Sequence, residues 1–120
     1  MEMGKILQNM HFEHMLWQNE LEFTRREIAI FERFLANKEG SISPERVNSM
    51  MSQLHHFMRL ATKILDEITS NEKQLCLDEK TCGDAKDDYR YLREEMFYFE
   101  QNYRQFKKEF RAFAAGLEYA

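Results

Sequence analysis

The sequence predicts an all-α protein, an antiparallel up-down-up bundle of three long helices completed by dimerisation. Three stretches carry apolar residues spaced alternately by three and four, the row along which packed helices meet. Two short polar breaks separate these stretches, so consecutive helices fold back on one another. No stretch alternates apolar and polar residues strictly enough for a half-buried strand.

A chain of 120 residues fits a single domain, 1–120, able to bury about 60% of its unfolded surface. Its apolar content is bulky, with Phe 10, Tyr 5 and Met 8. Basic residues number 17 and acidic ones 21, a net charge of −4 with no basic run. That balance excludes nucleic acid as a partner, because neutralising phosphates takes clustered Lys and Arg. Gln8, Asn9, His11 and Glu13 interrupt any apolar leader. No apolar run approaches the ~20 residues needed to cross a bilayer, and the chain reads as cytoplasmic, without a membrane partner. Cys76 and Cys82 are then expected as reduced loop thiols; their spacing permits a small loop disulfide, and no second pair completes a zinc site.

Helix 1 is expected over residues 3–38. Its main row is Leu7, Met10, His14, Trp17, Leu21, Thr24, Ile28, Phe31 and Leu35. A second row, Phe12, Leu16, Phe23 and Ile30, lies roughly 130° around the helix. The first row can be satisfied inside the bundle, and the second wants another surface. Residues 37–44 break the pattern. Gly40 suits a helix C-terminus, while Ser43, Pro44 and Glu45 read as N-cap, first helical residue and dipole-favoured acid.

Helix 2 is expected over 44–75, with Val47, Met51, Leu54, Met58, Ala61, Leu65 and Ile68 as its row and Met50, Phe57 and Ile64 widening one edge. A second break runs from Leu77 to Gly83, and Asp84 reads as the next N-cap. Helix 3, over 84–117, has the cleanest row: Tyr89, Leu92, Met96, Phe99, Tyr103, Phe106, Phe110, Phe113 and Leu117. Arg93, Glu95, Glu100, Lys107 and Glu109 edge it with mixed charge. Helices of this length are roughly 45 to 50 Å long. Three such helices with a tryptophan on the first are similar in outline to a spectrin-type repeat; the likeness is one of architecture.

With tight turns, residue n of helix 1 should lie near residue 82 − n of helix 2 and n + 78 of helix 3. Trp17 then meets Leu65 and Met96, with Glu95 as acceptor for its indole N–H. Thr24 meets Tyr103 in a hydroxyl pair. His11 and His14, one turn apart, face Glu72 near Tyr89. Two imidazoles and a carboxylate have the ligand types for a transition metal, so these three residues are candidate metal ligands. The Glu-x-x-His repeats of ferritin-like di-iron bundles are absent.

His56 falls on the outer face of helix 2, followed by Phe57, Met58, Arg59 and Leu60. These residues resemble the His-x-Leu-Lys-Gly pattern of histidine phosphotransfer domains, which are four-helix bundles. The resemblance implies His56 as phosphoryl acceptor and Arg59 as its electrostatic neighbour. Met58 and Arg59 stand in for the hydrophobe and lysine, whereas Leu60 replaces the small residue that admits a response regulator.

No Ser or Cys has a base beside it in the pattern, and there is no Gly-rich phosphate loop. The expectation is therefore a non-enzymatic interaction or scaffold module without a resident cofactor. It would self-associate as a homodimer, or dock a helical protein partner, through Phe12, Leu16, Phe23 and Ile30. The competing reading is a metal- or small-ligand-binding bundle at His11, His14 and Glu72.

Overall fold

The computed structural model describes the backbone of residues 2–38, 40, 43–75 and 82–118, with side chains for 4–38, 43–75 and 84–116. It consists of α1 (Glu2–Asn37), α2 (Pro44–Leu75) and α3 (Cys82–Glu118), packed as a three-helix bundle. Cys76 and most of the second break lie outside the described residues, as does the side chain of Cys82.

The start of α2 follows the local chemistry of its sequence. Ser43 Oγ accepts from the Arg46 amide at 3.3 Å, and the Ser43 carbonyl accepts from Arg46 and Val47. Ser43 is thus the N-cap, and Glu45 in the first turn complements the helix dipole. Before it, Gly40 takes φ +92°, a left-handed conformation open to glycine without a steric penalty. The start of α3 differs from expectation. Cys82 and Gly83 are already helical, so Asp84 sits inside the first turn and is not the cap; an acid there still faces the positive end of the dipole.

The inward rows of α1 and α3 pack as their spacing implies. Leu21, Ile28 and Leu35 are fully buried, as are Met96, Phe106 and Phe110 to within a few per cent. On α2 the buried row is Leu54, Phe57, Ala61, Ile64, Ile68 and Asn71. Met58 and Leu65, expected on the row, are only half-buried, while Phe57 and Ile64, expected at its edge, are inside. The reason is position. Helix α2 packs closely against both neighbours, whereas α1 and α3 approach each other less closely, so α2 turns the middle of its broad face inward.

Aromatic rings bridge the wider α1–α3 gap: Phe31 stacks on Phe110 at 4.4 Å, and Trp17 on Tyr89 at 5.5 Å. At the Gly40 end, the Arg46 guanidinium covers Phe113 at 4.8 Å.

The product is a rod of 61 × 18 × 18 Å with a radius of gyration of 18.3 Å, against about 13.6 Å for a compact domain of this length. Its accessible surface is 8384 Å². A compact monomer of 14.6 kDa exposes about 6,900 Å², so the rod exposes about 1,500 Å² more.

Candidate functional site

Two regions of the rod match the residues singled out from sequence. The first is a polar cluster within the inward row of α1. His14, 1% exposed, sits where the row would otherwise be apolar, and the facing α2 residues are Asn71 and Glu72. His14 Nδ1 contacts Glu72 Oε2 at 2.5 Å and Nε2 contacts Asn71 Oδ1 at 2.8 Å. His11 Nδ1, one turn earlier and largely exposed, contacts the other oxygen of the same carboxylate. Asn71 Nδ2 donates to the Ala85 carbonyl and to Gln74 Oε1, each at 3.0 Å. One amide therefore connects α1, α2 and α3. The rings of Trp17 and Tyr89 pack on His14 at 5.8 and 6.0 Å and cover its inner side.

Burial pushes the Glu72 carboxyl up, and hydrogen bonds from His14 and His11 outweigh it, leaving its pKa below the ordinary value. This is the environment of an ionised carboxylate. Among the described residues, no group of three or more His, Cys, Asp and Glu side chains is placed to hold a metal ion. The histidine nitrogens stand at hydrogen-bond distance from the carboxylate, closer than ligands around a shared ion. Asn71 was invisible to the sequence reading, because a polar residue at an inward position of α2 looks like the end of the row.

The sum of facing residues on α1 and α2 is 83 to 86 here, not 82. Helical side chains lean toward the N-terminus of their own helix. Two antiparallel helices lean in opposite directions, which raises the sum by about twice the lean of roughly one residue. On the α3 side Trp17 stacks on Tyr89, and Glu95 is not the acceptor of its indole N–H. Glu95 lies on the α2–α3 side with Lys63 at 3.8 Å. Its Oε1 and Glu67 Oε2 are buried without a hydrogen-bond partner; burial, then the neighbouring Glu67 carboxyl, raises the Glu95 carboxyl, opposed by Lys63.

The expected Thr24–Tyr103 hydroxyl pair is replaced by a Tyr103 hydroxyl that donates to Glu27 at 2.7 Å. Thr24 is buried beside it, too short to compete for that hydrogen. Lys107 binds the other Glu27 oxygen at 2.8 Å. One end of the α1–α3 contact repeats this arrangement, with the Glu13 carboxylate beside Tyr89 and Arg93 nearby; burial and then these acids push both phenols well above their ordinary pKa. Between the two lies Glu20, which meets Glu100. Burial, then a hydrogen bond and repulsion from Glu100, raise Glu20 to about 7, with Arg104 opposing.

The second region is the outer row of α1. Phe12, Leu16, Phe23 and Ile30 are 60%, 50%, 56% and 59% exposed, and Met15 beside them is half exposed. Ile30 continues into a groove of about 320 Å³ lined by Phe31, Phe34, Phe110 and Ala114. Tyr91, Phe97 and Tyr98 form a further exposed aromatic group on α3, which the sequence reading missed because they lie beside an unbroken inward row.

His56 projects from the outer face of α2, its ring 5.5 Å from Phe57, and Leu60 is half-buried against the core. No described helix is long and apolar enough to cross a membrane. Comparison with protein-family models, curated proteins and solved structures gives no match for this chain.

Proposed function

We propose that the protein is a non-enzymatic interaction or scaffold module that works as a homodimer, two copies packing antiparallel through the outer row of α1. The observation that carries this reading is the exposure of Phe12, Leu16, Phe23 and Ile30 together on one helix face. They extend over ~27 Å, and contiguous apolar patches of that size are uncommon on proteins that stay single.

Area and charge both favour a second copy as the occupant. The rod exposes about 1,500 Å² beyond a compact monomer, and a stable interface removes about 800 Å² from each partner. Along α1, residues up to Glu22 carry Glu2, Glu13, Glu20 and Glu22 against Lys5. The remainder carries Arg25, Arg26 and Arg33 against Glu27 and Glu32, with Lys38 just past its end. Antiparallel self-pairing lays the acidic half of one copy over the basic half of the other, and parallel pairing opposes like charges. With the two-fold axis at Phe23, Leu16 of one copy faces Ile30 of the other.

Sedimentation of the full chain at micromolar concentration tests the proposal. The expected mass is twice 14.6 kDa, and Phe23→Glu is expected to give a monomer that melts at the temperature of the isolated wild-type bundle. A wild-type protein that sediments as a monomer, or a Phe23→Glu dimer, overturns it.

A further inference from the structure

Helix α3 meets each of its neighbours through a pair of carboxyl groups. On the α2 side, Glu95 has Glu67 as its neighbour. Lys63 Nζ stands 3.4 Å from Glu67 Oε1 and 3.8 Å from Glu95 Oε2, so one oxygen of each acid faces a cation. The other two, Glu67 Oε2 and Glu95 Oε1, are buried with no hydrogen-bond partner. An ionised carboxylate only accepts, so two such oxygens side by side satisfy neither. One proton makes one acid a donor to the other and removes both deficits. On the α1 side, Glu20 and Glu100 line a single recess with Arg104. Glu95 and Glu100 are five residues apart on α3, about 7.5 Å along its axis, with buried Met96 and Phe99 between them. The two pairs therefore grip α3 from opposite flanks at one level of the rod.

We propose that these pairs are a pH-sensitive clamp on α3, closed while each pair holds a proton between its carboxyls and opened when those protons pass to solvent. Once open, like charges push α3 away from α1 and from α2 at the same level. The charges around each pair adjust this response without replacing the proton. On the α2 side Lys63 offsets one negative charge and the Tyr91 hydroxyl favours ionised Glu95, whereas Asp66 and Asp88, on the groove that Glu67 lines, add further negative charge. On the α1 side Arg104 opposes the protonation of Glu20, while Glu27 is already engaged by Tyr103 and Lys107. Burial, then the partner acid, raises both Glu20 and Glu95 above the ordinary value of 4.5. A proton held by the folded chain and released by the unfolded one stabilises the fold fully below 4.5, and that contribution is lost as pH rises through the folded value.

Two measurements on the full-length chain test the clamp: urea unfolding from pH 5 to 8, and amide hydrogen exchange of the folded protein at pH 5.5 and 8 with intrinsic rates divided out. Glu20→Gln combined with Glu95→Gln gives each pair a neutral amide that donates without titrating. Between pH 5 and 8 the unfolding equilibrium constant of wild type is expected to rise roughly 10-fold or more relative to that of the double variant. Residues 93–103 of α3 are expected to lose protection in wild type alone. His11, His14 and Glu72 are common to both proteins, so their titration cancels in the comparison. Glu67→Gln combined with Glu100→Gln places the amide on the other member of each pair; it is expected to behave alike and keeps the test decisive where the first variant disturbs folding. The proposal is overturned by parallel pH profiles for wild type and either folded variant, or by exchange in 93–103 that rises no more than at the Gly40 end.

Discussion

Leu21 and Phe23 are two residues apart on α1 and have opposite fates: one fully buried, the other 56% exposed. Leu21→Ala removes atoms from a closely packed interior and is expected to cost about 2–5 kcal/mol in urea or thermal unfolding. Phe23→Ala is expected to stay within about 0.5 kcal/mol for the isolated bundle while weakening self-association. Glu20 gives a pH signature. Its carboxyl is raised to about 7 from the ordinary 4.5, so folding holds a proton that the unfolded chain releases. The stability tied to that proton is complete below pH 4.5 and is lost as pH rises through 7. Melting temperature as a function of pH should show a shallower decline over that interval for Glu20→Gln than for wild type. Residue fates on α1 were legible because 3–4 spacing alone separates inside from outside. Asn71 was not, since its role depends on the Ala85 carbonyl, a backbone atom on a different helix.

The helices themselves were readable almost to their ends, because Ser43, Pro44 and Gly40 act locally. Ser43→Ala is expected to cost about 1 kcal/mol through loss of the cap, measured by thermal unfolding. Contacts between helices were less legible, as they depend on side-chain lean and on how broad a face α2 must present. Along the α1–α3 contact, Glu13, Glu20 and Glu27 recur every seven residues. The outer two meet a tyrosine with a cation four residues on, Tyr89 with Arg93 and Tyr103 with Lys107. The middle one meets Glu100, so an acid stands where the repeat elsewhere has a cation. Glu100→Lys would restore the repeat and is expected to stabilise the protein by about 0.2–1 kcal/mol at pH 7 to 8, read as a rise in melting temperature. With Glu67 and Glu95 on its other side, α3 is flanked on both sides by carboxyl pairs that repel when both members are ionised.

At the scale of the molecule, the sequence carried the three-helix plan, which follows from uninterrupted rows and short breaks, while the rod, at 61 Å, is longer than the expected helices. The shape has a dynamic consequence. In a bundle 61 Å long and 18 Å across, each layer of side chains touches only the layers above and below, as in a stack. Disturbance then spreads along one axis and fades with distance, unlike in a sphere, where every core residue shares neighbours. Amide hydrogen exchange should report this as a gradient, slowest around Leu21, Ala61 and Phe99 and faster toward either end. The Asn71 amide ties all three helices near one end of that stack, and Asn71→Ala should steepen the gradient there while leaving the Gly40 end unchanged.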